Sequence, residues 1–477
     1  MRSEVRSNFA GLVALAAGIS LLVAGAILLA PQRSSITFDP SFHDPATTQP
    51  LATIQPPVTI EPPCDYVVAP NVSHVDGNGS YASVQPGDTL CLTAGTRGPL
   101  SISNLSGSEE APISLINDGG VVVIDGRRND YAALDIRDSQ HLRISGTGVS
   151  VICGRRYPTE AQNCGIVASG TGRGVAATGR VSNIEVDHVE VTDTARSGMF
   201  MRSSDDTDNP RQSWRQRATR LHDNYLHDLG TEGFYVGSSK YHEGVDPLLD
   251  GVEVGRNLII GTGWDGLQVG SAVTDCRIHD NVVIGSGLDE EPDQQTGVIN
   301  NRGSTCDIFN NLVEDVTGAG IFVQGNGGNR VFNNVVVRTS DGIVVTRGSN
   351  DDRSVFLLNN TIVDPARFGI RFRNDEGADN QIVNNLIILP RGDAYIDIGG
   401  LDNVTVDHNL LLAALVDAKL ADPGARDYRL VIGSPAIDAG ADLPVAGIAS
   451  DFPGGPRRFG TAVDIGAFEF GGVTSLG

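Results

Sequence analysis

One short phrase recurs through the second half of this 477-residue chain: an apolar residue, Asn-Asn or a near equivalent, two or three more apolar residues, a turn, then Gly and another apolar run. It is read as Arg256-Asn257-Leu258-Ile259-Ile260, Asp280-Asn281-Val282-Val283-Ile284, Asn310-Asn311-Leu312-Val313, Asn333-Asn334-Val335-Val336, Asn359-Asn360-Thr361-Ile362, Asn384-Asn385-Leu386-Ile387 and His408-Asn409-Leu410-Leu411. The second asparagines follow one another at spacings of 24, 30, 23, 26, 25 and 24 residues. A period of this size means stacked structural units, and units built from three short apolar runs with Gly and Asn turns suit one rung of a parallel β-solenoid. Paired helices are excluded by content, because the runs are short, rich in Val and Ile, and broken by Gly and Asn. Asn fits the corner because it tolerates the left-handed backbone and because its amide can hydrogen-bond the equivalent Asn one rung away. The expected fold is therefore all-β, and the ladder extends upstream less regularly through Asn224 and Asp187-His188.

The pattern resembles the right-handed, single-stranded parallel β-helix family of pectate lyases and chondroitinase B-like lyases, over roughly residues 180–412. Val84-Gln85-Pro86-Gly87-Asp88-Thr89-Leu90, Ala111-Pro112-Ile113-Ser114-Leu115-Ile116 and Val123-Ile124-Asp125-Gly126 look like the opening rungs of such proteins. Gly433-Ser434-Pro435-Ala436-Ile437-Asp438-Ala439-Gly440, Pro456-Arg457-Arg458 and Val463-Asp464-Ile465-Gly466-Ala467-Phe468-Glu469 resemble the C-terminal module called choice-of-anchor Q. The resulting division is a β-helix over residues 64–416 and a capping module over 417–477.

A solenoid grows lengthwise without a larger globular core, so one long domain suffices for this length. A net charge of −23 argues against nucleic acid as a partner, and an anionic sugar would need a local Arg cluster or bridging Ca²⁺. Phe9 to Ala30 is an uninterrupted apolar stretch, flanked by Arg2 and Arg6 in a short cytoplasmic tail (1–8), and is long enough to span a bilayer as an uncleaved signal anchor. Ala24-Gly25-Ala26 offers the rival reading, a cleavable signal peptide and a secreted protein. Residues 31–63, rich in Pro, Thr and Ser, read as a flexible tether. The expectation is an extracytoplasmic, membrane-anchored monomer, at the cell surface or in the periplasm.

Six cysteines in an exported chain suggest three disulfides. Cys276 and Cys306 each lie five residues before a ladder Asn, so they occupy one position on adjacent rungs, within bonding range. Cys153 with Cys164 would close a local loop, and Cys64 with Cys91 would pin the first rung.

Aligning the strands that follow the turn glycines puts Met199, Phe234, Leu267, Val298, Ile321, Ile343 and Ile370 on one inward register. Alternation then sends Phe200, Tyr235, Gln268, Ile299, Phe322, Val344 and Arg371 outward. The column before the Gly reads Ser197, Glu232, Asp265, Thr296, Ala319, Asp341, Phe368. Glu232 and Asp265 are thus stacked carboxylates, which must share a proton, bind a cation such as Ca²⁺, or meet an Arg or Lys. Asp before Gly is ordinary turn chemistry, as Asp341-Gly342 illustrates, but Glu232 has no such explanation. Rungs here are lengthened within residues 203–217, 238–250 and 285–296, loops that could wall a groove. Candidate groups are Lys240, His242 and Tyr235 as catalytic bases, Arg202, Trp214, Trp264, Gln268 and Arg371 as substrate contacts, and Glu232 with Asp265 as metal ligands. Both tryptophans of the chain fall near this spot, as sugar-stacking platforms or as packing residues.

The leading reading is a polysaccharide lyase. Arg or Ca²⁺ would neutralise a uronate carboxylate, and one of the bases would remove the C5 proton. Chondroitinase B-like enzymes have Lys-Ser following their acidic Ca²⁺ cluster, whereas here Ser precedes Lys240. A glycoside hydrolase would use Glu232 and Asp265 as acid and base, although no Asn-Thr-Asp, Gly-His-Gly or Arg-Ile-Lys motif of polygalacturonases is present. The non-catalytic alternative is a surface solenoid that binds glycan or protein.

Overall fold

The computed structural model describes residues 64–146, 153–154, 162–204, 210–324, 327–347, 351–388, 391–392, 394–443 and 447–471. The apolar segment 9–30 and the tether lie outside the described residues. Among those described, no helix is long and apolar enough to cross a membrane.

From Tyr66 to Leu412 the chain winds through three sheets whose strands pair only in parallel, each with the equivalent strand one rung on. Within one rung, Arg215–His222 lies in the first sheet, Tyr225–Leu229 in the second and Phe234–Gly237 in the third. These pair in turn with Leu248–Gly255, Leu258–Thr262 and Leu267–Gly270. Parallel pairing leaves each strand bonded on both sides, so the Val- and Ile-rich runs bury one face along the whole axis. The inward register holds as expected: Met199, Phe234, Leu267, Val298, Ile321, Ile343 and Ile370 pair in succession and are fully buried.

The corner between the first and second sheets divides its two duties between adjacent residues. The left-handed backbone falls on the residue before the ladder Asn, namely Asp223, Arg256, Asp280, Asn310, Asn333, Asn359, Asn384 and His408. The ladder residues themselves, Asn224, Asn257, Asn281, Asn311, Asn334, Asn360 and Asn385, are completely buried. In each, Nδ2 donates to Oδ1 of the next ladder Asn at 2.9–3.1 Å, the last step reaching Asn409. The same Oδ1 accepts the backbone N–H of the preceding ladder Asn. Nδ2 also donates to a first-sheet carbonyl, for example from Asn281 to Val254 at 2.9 Å. The column stops where Asn224 Oδ1 takes the N–H of Val189, whose apolar side chain cannot continue it.

All three disulfides form as the spacing suggests, Cys64–Cys91, Cys153–Cys164 and Cys276–Cys306, the last between directly paired residues of adjacent rungs. Such bridges persist in oxidising, extracytoplasmic compartments. The C-terminal residues do not act as a simple end cap. They run back along the outer face of the second sheet, where Tyr428, Phe452, Ile465 and Phe468 cluster with Leu258, Val282, Leu312, Val335 and Leu386. Asn333, Asn359 and Asn384, left-handed residues of the corner, donate their side-chain amides to the carbonyls of Ser450, Asp464 and Ala441 there.

Replacing Asn311 by Ala removes a buried amide and orphans the N–H and one of the two Nδ2 hydrogens of Asn281, the other remaining on the Val254 carbonyl. A loss of about 3 kcal/mol is expected in chemical denaturation, from two buried donors left unsatisfied. Replacing the exposed left-handed Asp193 by Gly should change stability by less than about 0.5 kcal/mol. Equal effects would mean that the ladder adds nothing beyond turn geometry.

Candidate functional site

The outward column of the third sheet forms the floor of a groove of about 790 Å³. Six successive rungs supply that floor through Tyr235, Gln268, Ile299, Phe322, Val344 and Arg371, in the register the alternation implies. One wall comes from the residues that lead into these strands, Glu232, Trp264, Asp293 to Thr296, Ala319 and Asp341. The other comes from residues that follow them, Ser239, Asn301, Arg302, Gln324 and Thr346. Of the three lengthened loops, 285–296 walls the groove most fully, 238–250 gives only Ser239, and no described residue of 203–217 lines it.

Glu232 and Asp265 stand one above the other: the backbone N–H of Gly233 bonds the Asp265 carbonyl, as Gly198 bonds that of Glu232. Glu232 is 6% exposed and reaches the groove, whereas Asp265 is fully buried beneath it. Asp265 Oδ1 accepts the Thr296 N–H at 2.7 Å, and Oδ2 has no hydrogen-bond partner. Burial, reinforced by the charge of Glu232 and opposed by the Thr296 N–H, pushes the Asp265 carboxyl up to about 7. Burial also raises Glu232, against hydrogen bonds from its own backbone and Thr231 and the positive charge of Arg173. Two stacked carboxyls in little water share protons before both ionise.

The other candidates divide between two margins of the third sheet. Lys240 and His242 follow the strand that Glu232 precedes, on the opposite side of the sheet. Lys240 Nζ pairs with Glu243 at 3.3 Å, and His242 is exposed beside the Tyr241 ring. Arg202 is held by Asp246 at 2.9 Å, and Trp214 donates its indole N–H to Ser203 at 3.2 Å. None of these four lines the groove, whereas Tyr235, Trp264, Gln268 and Arg371 do. Tyr235 stacks on Phe200 with centroids 5.1 Å apart, and its hydroxyl shares a hydrogen bond with Ser239 Oγ at 3.1 Å. Gln268, 3% exposed, leaves Nε2 unpartnered, and Arg371, poised over the Phe368 ring, leaves Nε unpartnered.

Two groove arginines were not among the sequence candidates. Arg302 is exposed on the far wall, and Arg367 pairs with Asp341 at 2.6 Å. Both lie in turns, where the column alignment gives no register. Glu232 and Asp265 supply two carboxylates, fewer than the six to eight oxygens Ca²⁺ takes. Among the described residues only Glu185, Asp187 and His222, on the first sheet, converge as three possible ligands. That trio is already neutralised: Arg143 bonds both carboxylates. Burial works to lower His222, but Asp223 and Glu185 overcome it and raise the ring to about 9, so that a metal would have to displace a proton there.

Residues 211–387 match the family model for a right-handed β-helix region. In sequence, no curated protein matches. Among solved structures the chain is similar to the pectate lyase Pel9A (16% identity, 85% of this chain and 97% of that one, TM-score 0.43). It is also similar to an alginate lyase from Paenibacillus sp. str. FPU-7 (14%, 72% and 99%, 0.41) and to a GH136 lacto-N-biosidase from Eubacterium ramulus (13%, 73% and 68%, 0.43). Likeness at this identity concerns the fold alone.

Because the Asp265 carboxyl is raised from the 3.8 of an ordinary aspartate to about 7, the folded state binds its proton more tightly than the unfolded chain. The stability this brings is complete below about pH 4 and is lost as pH rises to about 7, a swing of about 4 kcal/mol. Asp265→Asn, which keeps the acceptor for Thr296, should flatten that dependence and be more stable than wild type at pH 8. Parallel stability–pH curves for the two proteins would refute the raised carboxyl.

Proposed function

We propose that the groove binds a uronate-containing polysaccharide along the third sheet and cleaves it by β-elimination. The observation that carries this is where unpaired cations stand: in a chain of net charge −23, the groove that Glu232, Asp293 and Asp341 line also holds Arg302, Arg367 and Arg371, and of these only Arg367 forms an ion pair among the described residues. Elimination needs the uronate carboxylate neutralised, a base for the C5 proton, and a proton for the leaving oxygen. Arg302 and Arg371 are suited to the first role, since Arg367 is committed to Asp341. Tyr235 is assigned the second, being the one candidate base that lines the groove. The Tyr235 oxygen, its own hydroxyl proton passed through Ser239 to water, takes the C5 proton, the C4–O bond breaks as the C4–C5 double bond forms, and Glu232 protonates the departing oxygen. Burial raises the Glu232 carboxyl, which favours the protonated form this step needs.

The hydrolase alternative requires two carboxyls flanking the scissile bond, and Asp265 is too deeply buried to reach one. Ca²⁺ has no part in the proposed step. We place the protein outside the cytoplasm, where its disulfides persist, as a monomer held to the membrane by residues 9–30.

The test is an assay of the full chain on a panel of uronate polysaccharides, following the ultraviolet absorbance of the unsaturated product. Glu232→Gln should lower turnover by at least about 100-fold, as removal of a general acid does, Arg371→Ala should raise KM, and a chelator should leave the rate unchanged. Full turnover by Glu232→Gln would sink the mechanism. Tight binding with no product from any polysaccharide would make the groove that of a non-catalytic glycan-binding solenoid.

A further inference from the structure

North of Glu232, towards the chain's N-terminal rungs, the outward column continues through Phe200, Ala176 and Asp135. Above these residues, rings and guanidinium groups alternate. The Arg137 guanidinium lies 5.0 Å from the Tyr131 ring centre, and that of Arg173 lies 5.1 Å from Tyr131 and 4.3 Å from Phe200. Phe200 in turn stacks on Tyr235 at the start of the groove floor, the planes inclined by 28°. The ladder is therefore continuous with the groove.

Arg173 differs from its neighbours in touching no carboxylate among the described residues, Glu232 and Asp135 attracting it only from further off. Arg137 is bound by Asp135 at 2.7 Å, Arg202 by Asp246 at 2.9 Å and Arg367 by Asp341 at 2.6 Å. Among the described residues no carboxylate pairs with Arg173, and its Nε and Nη1 are shielded from water without a hydrogen-bond acceptor. An unsatisfied, half-buried cation is costly, the more unexpected in a chain whose carboxylates far outnumber its basic groups. Two rings hold it in place, a geometry that restrains a guanidinium without neutralising it.

We propose that the Tyr131–Arg173–Phe200 ladder is a further binding subsite, which takes the carboxylate of a second uronic acid on the same polysaccharide chain. The guanidinium supplies the charge, and the Phe200 and Tyr235 rings, stacked on each other with Arg173 against Phe200, present their edges to the sugar. This subsite rests on the proposal that the groove holds an acidic glycan. From Phe200 to Arg371 the outward column spans seven rungs, roughly 29 Å at about 4.8 Å each. Only a long oligosaccharide can bridge both ends, so affinity should depend on chain length.

Calorimetric titration of the full chain with a length series of oligouronides tests this. In wild type, affinity should climb once the ligand spans from Arg371 to Arg173. Arg173→Gln should weaken the long ligands by about tenfold, the effect of losing one charge-assisted hydrogen bond, and leave the short ones unchanged. Phe200→Leu, which keeps the charge and loosens the clamp, should show the same length-selective loss and serves if Arg173→Gln does not fold. Arg173→Gln binding long and short ligands as wild type does would overturn the subsite. Unsaturated product from wild type in that case would leave the elimination mechanism standing. Conversely, length-selective loss with no product would retain the subsite and remove the lyase, and failure of every oligouronide to bind would overturn both.

Discussion

Rung is tied to rung by one amide. Each ladder Asn accepts two hydrogen bonds from the Asn before it and donates to the one after, so the buried polar content of every corner is satisfied only if the next rung is in register. A slip by one residue would leave a buried amide and a backbone N–H without partners at each corner, a penalty that grows with the number of rungs. The apolar interior opposes a slip of one residue, which turns its side chains outward, but a slip of two keeps them inward, and it is the amide column that rejects that offset. The amide column thereby sets the alignment on which every other column depends.

The site is a product of that alignment. Stacking brings side chains from residues about 30 positions apart to within one strand spacing of each other, whether or not they attract. Glu232 and Asp265 are held together by their backbones, so their repulsion is relieved through proton binding, and the unpartnered Oδ2 of Asp265 is its trace. The same stacking lays Tyr235, Gln268, Ile299, Phe322, Val344 and Arg371 in a line matched to an extended ligand. Loops add the walls, and the loop with the most influence, 285–296, is the one that overhangs the middle of that line.

What repeats could be read from the sequence. The period located the strands, the inward and outward columns, the carboxyl pair and the Cys276–Cys306 bridge, because each follows from counting residues from an Asn. What does not repeat could not be placed. Lys240 and His242 looked close to Glu232 along the chain, but the strand between them carries them to the other margin of the sheet. Arg173 was overlooked because its column partner in the next rung is Ser197, so no paired charge marks it, and its ring contacts depend on Tyr131 in an irregular turn. Division of the corner's two roles between neighbours was equally invisible, since Asn suits either.

The doublets carry a further consequence. Where the left-handed corner residue is Asn333, Asn359 or Asn384, its amide leaves the column and grips the C-terminal segment; where it is Asp223, Arg256 or His408, the described contacts show no such grip. Second-sheet residues on either side of these corners pack against that same segment. A chain end laid lengthwise in this way works as a splint rather than a lid. It fastens several rungs to one another independently of their own hydrogen bonds, so the distal part of the coil cannot unwind one turn at a time but must first shed the strip bound along its flank.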